Sequence, residues 1–426
     1  MDLELTDEVN EIQLKTYNTK SVSKLLTSLD GNNLFERLSI TVPVDESGPV
    51  AQYRILEQPF PTEKAPEDLE PADVPEFIAD VLIFDATEER PSQVQITGVE
   101  GEGFEQADKI LNEAVSDMLA LDEDAENEPL GVVPRELEDL EWNCHFPADF
   151  PATVARQIET KKMQEVSDSI WPNLKLSALG GRSPNEVVGD ESAETALNAS
   201  VYVLDAFYDR NNVMLDIDAV RLNLKLNSPP LIEAEDDKAT GFSTINLQRI
   251  DYPALSDSQL VNIARRVLLV RHTRTAYQVL REVIGREECL KRLGPERVYS
   301  TLVGICREQN RRDEAFDWLA KGRAAAADGA NSFRSILEWD VKELNLRMDD
   351  PTDAAIPDLW SKFEEQYLPK LPELAESLTE FMREKGLGHL VSELATAPGS
   401  DDDTVWSDDE PAETGKGGKL WLPGQD

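Results

Sequence analysis

From Ser256 to about Ala397 the chain carries apolar residues at helical spacing almost without interruption, and inside that run a short pattern returns. An Ala, an aromatic residue or Ile beside it, and a Leu four positions on recur as Ala276-Tyr277 with Leu280, Ala315-Phe316 with Leu319, and Ala355-Ile356 with Leu359. The separations are 39 and 40 residues. Each copy follows a second amphipathic segment: Leu260/Ile263/Val267, then Val298/Leu302/Cys306, then Phe333/Leu337/Leu344. A small residue at a helix contact lets backbones approach closely, and periods near 40 residues are what stacked helical hairpins produce. The pattern predicts a tandem array of helical hairpins over 251–397. Ser256-Asp257-Ser258-Gln259 opens it as a capping box.

The rest of the chain reads differently. Residues 1–130 are expected to form a small α+β domain. Leu38–Val44 alternates apolar and polar as a half-buried strand does, and Gln52–Leu56, Val81–Phe84 and Gln93–Val99 are further strand candidates. Pro59, Pro61, Pro66, Pro71 and Pro75 exclude a helix between the second and third and predict an extended loop. Phe104, Ala107, Leu111, Val115 and Met118 share one helix face, and the acidic run Leu121–Glu128 reads as a solvated linker. Residues 131–250 are expected to be a mostly helical domain, with apolar stripes at Val154/Ile158/Val166/Ile170, broken by Lys162, and at Leu197/Val201/Leu204/Phe207. Residues 398–426 have neither period and are expected to be a disordered acidic tail. The fold class expected is therefore α+β, mostly α.

With 426 residues the chain is too long for one compact core. Its net charge is −42, yet 40% of its residues are apolar, enough to fold without staples. Acidity on this scale favours solubility and sets most of the surface against a phosphate backbone. Cys144, Cys289 and Cys306 are the only cysteines, which fits a reducing compartment better than a disulfide framework. The acidic start Met1–Leu5 lacks the order of a signal peptide, and no apolar run approaches a membrane span. These features point to the cytoplasm and away from a membrane.

Five signals invite a functional reading. In Gly180-Gly181-Arg182-Ser183-Pro184-Asn185-Glu186, Ser183 fits an N-cap, Pro184 the N1 position and Glu186 the N3 position, so helix capping accounts for the residues. An anion held by Arg182 at that helix start is the sharper alternative, but no Gly-Lys-Ser/Thr follows as a P-loop requires. His145, His272 and His389 lack metal-ligand spacing, and Cys144-His145 are adjacent side chains that diverge, which disfavours a dyad. The 84 carboxylates single out no acid–base pair. No catalytic, cofactor-binding or metal residue is therefore assigned. Between Val261 and Arg323 the charge inverts, with fourteen basic against eight acidic residues, a net of +6 against −48 for the remainder. Arg265, Arg266, Arg271, Arg274 and Arg281, with Lys291 and Arg292, crowd the first hairpin and could seat an acidic peptide, a nucleic acid or the protein's own tail. The bland alternative is that they dock on the acidic remainder. Finally, Trp406 and Trp421 sit in an otherwise polar tail, where a short aromatic motif on an acidic tether is a common recognition element.

In Arg297–Ala327, Leu302, Ala315 and Leu319 occupy packing positions that resemble those of tetratricopeptide helical repeats. The likeness covers about a third of the chain and implies a curved helical scaffold for protein–protein contact. The period exceeds that family's roughly 34 residues. Val303 also stands where a small residue is expected, and the terminal Pro is missing, so no peptide-clamp residue is carried over. Leu179–Glu186 also resembles a Ser/Thr-Pro-x-Glu stretch of some antitoxins and transposase C-termini, over eight residues only.

The expectation is a non-enzymatic cytosolic scaffold or adaptor that binds a protein or peptide through the helical array and the Trp-bearing tail. The alternatives are a nucleic-acid-associated regulator acting through the Arg-rich hairpin, and an enzyme whose site in residues 1–250 carries no recognisable motif.

Overall fold

The computed structural model describes residues 9–38, 48–88, 90–122, 125, 129–232, 242, 244–270, 272–327 and 332–391. The chain is α+β with most of its described residues in helices, as expected from the sequence. It begins with β1 (Val9–Thr19), α1 (Val22–Asp30), β2 (Phe35–Leu38), β3 (Ala51–Leu56), β4 (Phe77–Phe84), β5 (Gln93–Val99) and α2 (Glu102–Val115). Two short strands follow, β6 (Leu119–Leu121) and β7 (Gly131–Pro134). All pairings are antiparallel, in the order β2-β3-β4-β5-β1, and β6 and β7 both line the outer edge of β1. Tyr17 lies opposite Val94 on one side and Leu121 on the other.

Side chains on a strand alternate between faces, so one face collects Ala51, Tyr53, Ile55, Ala79, Val81, Ile83, Val94 and Ile96. Leu25 and Leu29 of α1 and Phe104, Ala107, Leu111 and Val115 of α2 cover it. At Gly98 an added Cβ would lie 2.9 Å from the Phe104 ring and 3.0 Å from the Ile78 carbonyl, so glycine sets how closely α2 approaches the sheet. The strand candidates at Gln52, Val81 and Gln93 fall within β3, β4 and β5. Of Leu38–Val44, only Leu38, the last residue of β2, lies within the described residues. The Pro-rich connection is not fully extended. It makes short 3₁₀ turns at Pro66–Asp68 and Pro71–Asp73, because Pro is well placed at the first position of such turns.

The middle of the chain holds α3 (Arg135–Leu140), α4 (Ala152–Ser169), α5 (Pro184–Val187), α6 (Glu194–Arg210), α7 (Ile217–Asn223) and α8 (Thr244–Leu247). Met163, Val166, Trp171, Leu197, Val201, Leu204, Tyr208 and Val220 make its core. Eight helices follow: α9 (Asp257–Val270), α10 (Thr273–Ile284), α11 (Glu287–Leu293), α12 (Pro295–Glu308), α13 (Arg312–Ala327), α14 (Ser332–Arg347), α15 (Ile356–Gln366) and α16 (Pro372–Glu384). One core runs through α9–α14 and a second through α14–α16. The capping box at Ser256 is formed, the Gln259 amide oxygen accepting from the Ser256 N–H at 2.8 Å. Ala276 and Ala315 are each the fourth residue of their helices, whereas Ala355 is the N-cap of α15, and α11 intervenes between α10 and α12. Gly322 of α13 faces Trp339 of α14 so closely that a Cβ would sit 2.1 Å from the ring.

Buried carboxylates knit these helices together. Asp349 is 3% exposed and receives Arg307 in a two-pronged pair at 2.6 and 2.7 Å and Arg156 of α4 at 2.9 Å. Asp340, fully buried, is met by Arg323 and Lys362, both at 2.5 Å, and by the Tyr367 hydroxyl. From Arg323 the chain of pairs continues through Glu343, Arg347 and Asp353 to Arg312. No helix among the described residues is long and apolar enough to cross a membrane.

Candidate functional site

On the surface formed by α10, α12 and α13, one acidic residue organises a set of cations and rings. Glu314 accepts hydrogen bonds from the Tyr277 hydroxyl at 2.7 Å, Arg281 at 3.1 Å and the Trp318 indole N–H at 3.1 Å. Its second oxygen lies 3.1 Å from Arg311. The Arg311 guanidinium stands 3.8 Å from the Tyr277 ring centre, and Lys321 stands 4.0 Å from that of Trp318. Arg281 approaches both rings at 5.7–5.8 Å, and Tyr299 stacks on Trp318 at 6.0 Å.

Helical spacing explains the arrangement. Glu314 and Trp318 are one turn apart on α13, as are Tyr277 and Arg281 on α10, so each pair projects from one face. Burial works against ionisation of Glu314, but the Tyr277 hydrogen bond and the Arg311 charge outweigh it and hold its carboxyl below the usual range. Arg281 and Arg311 both contact the Glu314 carboxylate, and Lys321 lies over the Trp318 ring. Half of the Arg281 side chain remains solvent-accessible (53%), and Nε and Nη2 of Arg311 are buried without a hydrogen-bond partner. Trp318 itself is buried at 6% exposure, and Tyr277 is half-buried, so what this set offers to solvent is chiefly Arg281 and Lys321.

The residues singled out in the sequence fare unevenly. Arg281 belongs to this surface. Arg265 is exposed on α9, and Arg266 is half-buried on the same helix. Arg274 turns inward: its guanidinium donates to the Leu215 carbonyl at 2.6 Å and faces the buried Asp205 carboxylate at 3.4 Å. Asp209 beside it accepts from the N–H groups of Thr273 and Arg274, capping α10 from α6. Arg271, Trp406 and Trp421 lie outside the described residues. Lys291 pairs with Glu287 and Glu288 on its own helix, and Arg292 is exposed. Tyr277, Tyr299, Arg311, Glu314, Trp318 and Lys321 were missed. Their one available signal was cation–aromatic interleaving at i,i+4, which reads equally as core packing.

The Gly180–Glu186 element is the capped helix start that its residues suggest. Ser183 Oγ accepts from the Glu186 N–H, the Glu186 carboxylate accepts from the Ser183 N–H, and Gly180 and Gly181 take φ of +69° and +77°. Arg182 is engaged by Asp190 at 3.0 Å. Cys144 and His145 diverge: the thiol points to Glu159 at 3.8 Å, and His145 Nδ1 lies 2.6 Å from Glu36. Among the described residues no group of acidic, His and Cys side chains is arranged to hold a metal. No protein-family model matches this chain, no curated protein matches it, and no solved structure matches its fold.

Proposed function

We propose that this chain is a non-enzymatic, cytoplasmic interaction scaffold whose helices α9–α13 stack as tetratricopeptide-like hairpins and bind an acidic segment carrying an aromatic residue. The observation that carries the reading is the prearranged pair Arg281 and Arg311, held by Glu314 beside Tyr277, with Lys321 over Trp318. Ordering long cationic side chains before a partner arrives lowers the entropic cost of association. The chain itself encodes a segment of the right chemistry: Trp406 is flanked by Asp401–Asp403 and Asp408–Glu410. On this reading the tail competes for the surface at high local concentration and a partner displaces it. The free cysteines Cys144, Cys289 and Cys306 suit a reducing compartment.

The test is a fluorescence-anisotropy titration of a labelled 398–426 peptide against the full chain and against a chain ending at Gly399. The shortened chain is expected to bind several-fold more tightly, and the Arg281→Glu change to weaken that binding about tenfold or more, as the loss of a charge-assisted contact does. Equal affinity for both chains removes the competition. Indifference to Arg281→Glu removes the site. Preference for a labelled oligonucleotide, with a steep salt dependence, would instead establish the nucleic-acid reading.

A further inference from the structure

The segment that follows α3 crosses to the sheet, where the Phe77 N–H donates to the Asn143 carbonyl at 2.8 Å and Glu76 bridges Cys144. Between this segment, α4 and the end of α6 lies an open cavity of about 280 Å³, near the lower end for small-molecule sites. Trp142, Phe207 and Tyr208 supply aromatic walls, Met163 an adaptable apolar one, and Glu159 stands at the cavity beside Cys144.

Among the described residues Glu159 makes no ion pair within 4 Å, and Arg156 acts on it only from a distance. Its one hydrogen-bond partner among the described residues is the Cys144 thiol at 3.8 Å. The nearby Arg156 is committed elsewhere, to Asp349 at 2.9 Å and Glu308 at 3.7 Å. Burial raises the Glu159 carboxyl above its usual range against the partial relief of Arg156, and burial likewise raises Glu76. Burial first, and then the neighbouring Glu159, push the Cys144 thiol up to about 12, so it is a neutral donor and not a nucleophile. The half-buried Glu159 differs in this from the buried Asp340 and Asp349, each of which has its cations in place.

An unpaired carboxylate in a partly desolvated pocket is costly until a cation arrives, and electron-rich ring faces attract the same kind of guest. We infer that this cavity binds a small organic ammonium ion, a primary or methylated amine, with Glu159 as its counter-ion and Trp142, Phe207 and Tyr208 packed around its carbon atoms. An anionic ligand is disfavoured, since Glu141 and Glu159 both line the site and Glu76 lies against Cys144. Lys162 stands 5.8 Å from the Trp142 ring centre, and its charge relieves Glu76.

The test follows the Met163 methyl group in full-length protein labelled with [¹³C-methyl]methionine, its signal assigned through Met163→Leu. Choline chloride is titrated at constant ionic strength beside its neutral carbon isostere, 3,3-dimethylbutan-1-ol. A saturable shift with choline, absent or at least about tenfold weaker with the isostere, is expected, and Glu159→Gln should weaken choline binding by a similar factor. No saturable shift, or an equal response to the neutral alcohol, overturns the inference. Unchanged choline binding in a folded Glu159→Gln protein overturns it too. Should that variant fail to fold, the comparison of the two ligands on the unaltered chain decides.

Discussion

The sheet and the helices that follow it solve the same problem of an acidic sequence in opposite ways. In the sheet unit the buried face is almost purely apolar, with Tyr53, Ile55, Val81, Ile83, Val94 and Ile96 closed over by α1 and α2, and no described acid of residues 9–122 is fully buried. In α9–α16 carboxylates go inside, and Asp340 and Asp349 are neutralised there by arginine and lysine side chains, with the Tyr367 hydroxyl donating to Asp340. Five of the fourteen basic residues of Val261–Arg323 are spent within the chain: Arg274, Arg286, Arg307, Arg312 and Arg323 all close on acidic partners. A local excess of basic residues thus marks where acids are buried as much as where ligands bind.

The largest expected effect separating the two regions is at Asp349. Replacing it with Ala leaves Arg307 and Arg156, whose side chains are only 27% and 17% exposed, without their shared partner. Breaking a buried pair from one side costs about 3–5 kcal/mol. By contrast Ile96→Val in the sheet core should cost about 1 kcal/mol. Urea unfolding of both variants measures the difference, and a near-neutral Asp349→Ala would mean that the helices do not depend on their buried charges.

Acid should distinguish the regions in the same direction. Burial opposes ionisation at Asp349, Glu343 and Asp353, but their arginines outweigh it at Asp349 and Glu343, and the Ala355 N–H with Arg347 does so at Asp353. All three carboxyls therefore sit below their ordinary values of 3.8 and 4.5. A depressed carboxyl contributes stability that is complete above the ordinary value and is lost as pH falls through the depressed one. In residues 9–122 the Lys64 hydrogen bond also lowers Asp73, but that acid lies in the loop before β4, outside the packed strands. Hydrogen exchange measured as pH is lowered below about 4.5 should therefore open α13 and α14 before β3–β5. Simultaneous opening would erase the contrast.

A smaller effect tests packing instead of charge. Gly322→Ala forces the Trp339 ring aside, for an expected cost of about 1–3 kcal/mol with a change in near-ultraviolet circular dichroism. If the variant is as stable as the parent, α13 and α14 are not in tight contact.

How much of this was legible in the sequence depends on the range of the interactions. The helices α9–α16 were visible because apolar periodicity is local, as were β3, β4 and β5 and the capping of α5 by Ser183 and Glu186. In β1, Val9–Thr19 alternates weakly because its outer edge is shared by two short strands and its exposed residues include Val9, so no strand was inferred there. The cation–aromatic surface was hidden for a different reason. Tyr277 and Arg281 meet Glu314 across 33–37 residues, a pairing that follows from the packing of α10 on α13 and from no local pattern. The Glu159 cavity needed three separated segments to come together.

The smallest effect closes the comparison within one stretch of arginines. Arg265 is exposed on α9 and makes no ion pair with a described residue, whereas Arg274, nine positions on, faces buried Asp205 and holds the Leu215 carbonyl. Arg265→Ala should change stability by no more than about 0.5 kcal/mol, as surface substitutions usually do. Arg274→Ala should cost clearly more, because it strands a carboxylate that burial already drives above its usual range. Thermal unfolding of the two variants in parallel reads this directly. A large loss at Arg265 would mean that it too is spent on the fold, and that the proposed recognition surface narrows to Arg281, Arg311 and Lys321.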